Sequence, residues 1–129
     1  SAASDVYKRQ VEYHVDHANQ WILRLGQGTE ESHRRITEGL MYMWPYLDEL
    51  FEDLPLHEKL AAEGIAVLPS SLRAQFDERI AYVLDKAGLA IPDVKQARSG
   101  QRTGRFSEHR GFILAEMQSL ARQHPGATW

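Results

Sequence analysis

Five apolar residues constrain this chain more than anything else in it. Val11, Val15, Ala18, Ile22 and Leu25 recur at steps of four, three, four and three, a spacing that returns each to the same side of an α-helix. A strand would alternate at every second residue instead. Gly26 follows the stripe as a natural left-handed stop. Thr29 then suits the N-cap of a second helix, and Glu30 and Glu31 in its first turn suit the positive end of the helix dipole. Gly26 and Gly28 thus read as a helix–helix turn. They are no dinucleotide fingerprint, since no strand precedes them and no third glycine follows.

The same period runs on. Ile36, Leu40, Met43, Leu47 and Leu50 carry the second helix, predicted over 29–52, in which Pro45 removes a backbone donor and predicts a kink or break near Trp44. Pro55 can open a short helix ending at Gly64. Leu72, Phe76, Ile80, Val83 and Ala87 share one face of a helix predicted over 70–87, with Gly88 at its end. The stretch 89–105, with Pro92, Gly100 and Gly104, reads as irregular. Ser107 is placed to cap a last helix, 107–123, that carries Ile113, Met117, Leu120 and Ala121 and stops before Pro125-Gly126. No segment alternates like a strand, and no repeat or low-complexity tract occurs. The fold class is all-α.

Composition removes several function classes. A chain of 129 residues suits one domain, and 43% hydrophobic with 26% charged residues gives a soluble globular protein with material for a core. There is no cysteine, so disulfides and thiolate metal sites are out and nothing points to an oxidising compartment. Apolar runs are only a few residues long, too short for a membrane span or a secretory signal. The cytoplasm is the default location. The N-terminus needs separate treatment: Asp5-Val-Tyr-Lys-Arg-Gln10 translates gat-gtg-tat-aag-aga-cag, a transposon-end adapter of sequencing libraries. Residues 1–10 are therefore expected to be a cloning or assembly scar, with 11–129 as the domain. Without Asp5, Lys8 and Arg9, 17 acidic residues face 13 basic ones, a formal charge of −4. Such a chain does not attract nucleic acid or an anionic membrane as a whole.

Three blocks carry a resemblance. They are Trp21-Ile-Leu-Arg-Leu-Gly-Gln-Gly-Thr-Glu-Glu-Ser-His33, Ser107-Glu-His-Arg-Gly-Phe-Ile-Leu-Ala-Glu-Met-Gln118 and the closing Pro125-Gly-Ala-Thr-Trp129, joined by Leu40–Phe51 with Trp44 inside it. In this order they resemble the C-terminal part of the C-subunit family of phenylacetyl-CoA epoxidase complexes. The departures are an insertion-like Asp53–Leu60 and Phe106-Ser107 where His-Thr is expected. The resemblance implies a ferritin-like helical bundle, of which this fragment retains about half. It also implies aerobic phenylacetate catabolism, in which a multicomponent monooxygenase epoxidises the ring of phenylacetyl-CoA. There the C-type protein is a non-catalytic scaffold with no cofactor of its own. The di-iron centre belongs to the partner A subunit, which also binds most of the substrate, and NADPH acts through a separate reductase. The alternative is a ferritin-like di-iron protein whose own metal site is completed by a missing N-terminal half.

Several residues are candidates for chemistry, each beside a plainer role. Glu30-x-x-His33 has the spacing that di-iron bundles place on one side of a helix, but it occurs once, in a first turn, beside Arg34 and Arg35. A dipole partner and a solvated histidine are the plainer roles. His14 and His17 could share a metal, though no third ligand is identifiable, and a hydrogen-bonded, partly buried His14 is the plainer reading. His109 and Glu116 lie seven residues apart on the face of Ile113 and Leu120, as metal ligands or as an interhelical polar network. Lys95, Arg98, Arg102 and Arg105 face Asp93 alone and could contact coenzyme A phosphates or an acidic partner, or simply be solvated. Trp21, Tyr42, Trp44 and Tyr46 are candidates for an aromatic partner interface or for core.

Overall fold

The computed structural model describes residues 2–128; Trp129 of the closing motif lies outside the described residues. Among the described residues six α-helices follow one another: α1 Ala2–Gly26, α2 Glu30–Met43, α3 Pro55–Ala62, α4 Arg73–Ala87, α5 His109–Met117 and α6 Ser119–Gln123. No strand occurs among the described residues, as the periodicity requires. Two compact units divide the chain at Ala97 and Arg98.

In the first unit α1 begins at Ala2, nine residues before its apolar stripe. Neither glycine nor proline interrupts 2–10, so the helix extends through them by propagation alone. The second helix is shorter than the predicted 29–52. It stops at Met43, and the chain continues in two 3-10 turns, Trp44–Tyr46 and Asp48–Phe51. Pro45 has no N–H to extend the α-ladder, so the tighter i→i+3 bonds take over: Leu47 N donates to Trp44 O and Leu50 N to Leu47 O, both at 3.1 Å. The connection after α4 fixes this irregular stretch in place. Ala97 N donates to Pro45 O at 2.6 Å, and Asp48 N to Gln96 Oε1 at 3.2 Å.

α3 opens on Pro55 as expected, with Gly64 just beyond it at φ +68°. α4 is entered through a 3-10 turn at Pro69–Leu72 and stops at Gly88, whose φ of 69° is left-handed. Leu89 N then reaches back to Leu84 O at 2.9 Å, closing the helix end and turning Leu89 inward. Val83, Leu84, Ala87 and Leu89 form the buried core, ringed by Ile22, Leu23, Ile36, Leu40, Trp44 and Ile80. The core therefore sits where the C-terminal ends of α1 and α4 meet α2. Excluding Leu84 completely from water contributes about 2 kcal/mol.

In the second unit the helix predicted over 107–123 is broken at Gln118 into α5 and α6. Ser107 does not cap it through its hydroxyl. Glu108 holds the N-cap position with helical dihedrals, and the Ser107 carbonyl accepts from Arg110 N at 3.2 Å.

Candidate functional site

The most completely bonded local structure is the corner 26–33. Gly26 is not the left-handed stop that the sequence suggests; it is the last helical residue of α1 and is buried, with no positive φ. What it supplies is close approach. A Cβ there would lie 2.5 Å from Ala87 O and 2.9 Å from Ala87 Cβ, so the two helix ends touch only because Gly26 has no side chain. Gly28 is constrained in the same way, since a Cβ would meet Ser32 Oγ at 2.6 Å and Arg24 O at 2.8 Å.

The first turn of α2 bonds the open end of α1. Thr29 Oγ1 accepts from Ser32 N at 3.2 Å, the expected N-cap. Ser32 Oγ lies 2.8 Å from Leu25 O and 2.9 Å from Thr29 O, sharing one proton between them. His33 Nδ1 is 2.8 Å from Gly26 O. A carbonyl only accepts, so the proton sits on Nδ1. Last, Gln27 Nε2 donates to Lys86 O at 2.7 Å, joining the turn to the end of α4. Carbonyls left over at two helix C-termini are thus satisfied by Gln27, Ser32 and His33.

This use of His33 bears on the metal candidates. Glu30 is exposed, and the Nδ1 of His33 is engaged by Gly26 O. Arg34 and Arg35 both bind Glu31, at 2.9 and 2.7 Å, and together hold its carboxyl below the ordinary range, Arg34 most strongly. Among the described residues neither Glu30 nor His33 belongs to a group of three or more His, Asp or Glu placed to hold a metal ion. His14 is exposed on α1 and not part-buried, while His17 stacks on Tyr13 at 5.8 Å and meets the edge of Trp21 at 6.2 Å. His109 and Glu116 are both exposed on α5. Among the described residues no polar side chain is buried, and no group of three or more His, Asp or Glu is placed to hold a metal ion.

The four aromatic candidates separate. Trp44 is half-buried against the core. Trp21, Tyr42 and Tyr46 are exposed, Tyr42 most of all at 69%. Trp21 lines an open groove of about 670 Å³ with His17 and Arg24, the guanidinium 5.6 Å from the ring centroid. Trp44 and Tyr46 line another, of about 310 Å³, with Leu40, Met43, Leu47 and Leu50. Of the basic residues, Lys95 belongs to the first unit and Arg98, Arg102 and Arg105 to the second.

A third groove, apolar and of about 410 Å³, runs between α1 and α4. Val15, Ala18, Ile22, Phe76, Ile80 and Val83 line it together with Arg79. The N-terminal half of the α1 stripe is bare: Val11 and Val15 are exposed, whereas Ile22 and Leu25 are half-buried.

Sequence reading did not single out Arg73. Its guanidinium binds Asp48 at 2.6 Å and Asp77 at 2.8 Å and lies 5.0 Å over the ring of Phe51, which itself meets Phe76 at 5.2 Å. The carboxylates, Asp48 first, raise its pKa further. Arg73→Asp77 has the i,i+4 spacing that flags a helical pair, but Asp48 lies 25 positions away and leaves no local signal. Asp53 accepts from both the hydroxyl and the N–H of Ser70, which hold its carboxyl below the ordinary range.

Two comparisons bear on this chain. A family model described as phenylacetic acid catabolic protein matches residues 2–129. Over 121 residues the chain is 35% identical to the C subunit of 1,2-phenylacetyl-CoA epoxidase from Escherichia coli (strain K12), covering 94% of this chain and 49% of that protein. The chain spans about half the length of the curated relative it matches.

Proposed function

The chain belongs to the phenylacetic acid catabolic protein family, and from that membership we propose that it is part of a non-catalytic C-type subunit of a phenylacetyl-CoA epoxidase. In this reading its all-α, ferritin-like helices brace a partner A subunit. That partner holds the di-iron centre and most of the substrate contacts, and a separate reductase supplies electrons from NADPH. The setting is the cytoplasm; no helix among the described residues is long and apolar enough to cross a membrane. The observation that carries the reading is 35% identity, over 94% of the chain, to the C-type protein of the Escherichia coli epoxidase.

Local chemistry supports the non-catalytic role. The histidine of the one Glu-x-x-His pair donates its Nδ1–H to the Gly26 carbonyl of a helix corner, and two arginines follow it. That bond leaves only Nε2 of His33 open, and among the described residues no group of three or more His, Asp or Glu stands ready to complete a metal site. Residues 1–10 are read as a foreign tail. Val6 and Tyr7 are exposed on it, so deleting it should leave the melting temperature unchanged.

The test is metal analysis of the full-length protein purified alone. No stoichiometric iron is expected. A content of about two irons per chain, the complement of a carboxylate-bridged bundle site, would overturn the reading in favour of a catalytic di-iron protein.

A further inference from the structure

The two compact units carry opposite charge. Residues 98–129 hold five arginines against Glu108 and Glu116, a formal +3; residues 1–97 hold ten Lys and Arg against sixteen Asp and Glu, a formal −6. Every cation of the second unit is arginine and none is lysine. That choice matters, because a guanidinium is weakly hydrated and forks onto carboxylates, whereas lysine is depleted from protein interfaces.

The same unit leaves large apolar side chains in water. On α5, Phe112 and Met117 are each 74% exposed and Ile113 56%; Leu120 on α6 is 53% exposed. Arg110, Ile113 and Met117 follow at steps of three and four, so a cation and the apolar stripe share one side of the helix. Arg110 stacks on Phe106, its guanidinium carbon 3.5 Å from the ring centroid, an arrangement that leaves the N–H edge free to bind. Among the described residues, no ion pair joins any of the five arginines to a carboxylate. The turn ahead of α5 is built to hold arginine as well. Gly100, at φ +131°, accepts from Arg105 N at 2.8 Å, and a Cβ on it would meet the Arg105 side chain at 2.9 Å.

We propose that residues 98–129 are a docking surface for a protein partner that presents carboxylates around an apolar patch. The proposal rests on the reading of this chain as one component of a complex and adds where the partner binds and what its surface is made of. Arginine, phenylalanine and methionine together, without lysine, are the residue types of a protein interface. An anionic lipid surface is the competing occupant. It fits less well, because α5 has only nine residues before the break at Gln118, roughly 14 Å of helix, and membrane-surface helices are commonly twice as long.

The experiment measures binding of the full-length protein to the companion subunits of its own complex over a salt series. Ile113→Glu with Met117→Glu should weaken binding about thirtyfold, the scale of losing interface anchors. Arg110→Glu with Arg122→Glu should weaken it roughly tenfold and flatten its salt dependence. Arg110→Lys with Arg122→Lys keeps the charge and removes the fork, and a loss of about threefold is expected. All the mutated side chains are exposed in residues 2–128, so melting temperatures of the full-length variants should not move. Should the glutamate variants fail to fold, the lysine pair and the salt series still decide. A large drop in melting temperature for Ile113→Glu with Met117→Glu, while the lysine pair binds as wild type, assigns the face to the rest of the same protein and overturns the proposal. Wild-type binding with all variants within twofold of it overturns the docking surface and leaves the proposed function standing. No wild-type binding to any companion subunit overturns both. Capture by phosphatidylserine vesicles, lost in the same variants while binding to the companions is kept, assigns the surface to lipid and also overturns the proposal.

Discussion

The C-terminal turns of α1 and the body of α5 carry the same apolar period but differ in burial. Ile22 and Leu23 close onto Leu84 and Ala87, and the nearby carbonyls of Leu25, Gly26 and Lys86 have donors from Ser32, His33 and Gln27. Ile113, Met117 and Leu120 face water. Periodicity thus says which side of a helix wants cover and nothing about what covers it. Even α1 shows both conditions, since Val11 and Val15 are exposed on the stripe whose end is buried. The covered half differs from the bare half in having a glycine at the crossing, which lets two helix ends come within contact distance.

The comparison breaks first at Leu84. Leu84→Ala empties a site with no exposure and should cost about 3 kcal/mol, while Ile113→Ala should fall within roughly 0.5 kcal/mol of wild type. Chemical denaturation of both variants checks this, and equal losses would mean that α5 is as buried as α4. Next come two glycines. Gly26→Ala drives a methyl into Ala87 and should cost about 2 kcal/mol. Gly39 lies within α2 with nothing within 4 Å of its would-be Cβ, so Gly39→Ala should instead stabilise by about 0.5 kcal/mol or more. Opposite shifts in melting temperature confirm that close approach, rather than glycine as such, defines the corner.

The smallest effect is electrostatic. Asp53 titrates below its ordinary value of 3.8 because the Ser70 hydroxyl, and then its N–H, bind the charged form. A carboxyl depressed on folding stabilises in full above its unfolded pKa and loses that contribution as pH falls through the lower folded value. Asp53→Asn should therefore lower stability at neutral pH, with the gap to wild type closing below about pH 4. Paired melting curves from pH 7 to pH 2 would show it; a gap independent of pH would assign Asp53 a role other than its charge.

Helix content, the capped start of α2 at Thr29, the interruption at Pro45 and the left-handed end of α4 at Gly88 were all legible in the sequence. Each depends on the backbone preferences of one residue and its near neighbours, and those act whatever the rest of the chain does. Family membership was legible for the same reason, carried by the turn and helix blocks. Tertiary structure decided the rest. It made Gly26 a contact instead of a stop, gave His33 a helix-end carbonyl to donate to, packed Trp44 against the core while leaving Trp21, Tyr42 and Tyr46 exposed, and put Arg73 between two carboxylates 29 residues apart in number, Asp48 and Asp77. These outcomes depend on which surfaces meet. A one-dimensional pattern fixes the direction of a side chain along its own helix but not the distance to residues far away in the chain, and it is that distance that sets burial, hydrogen bonding and charge.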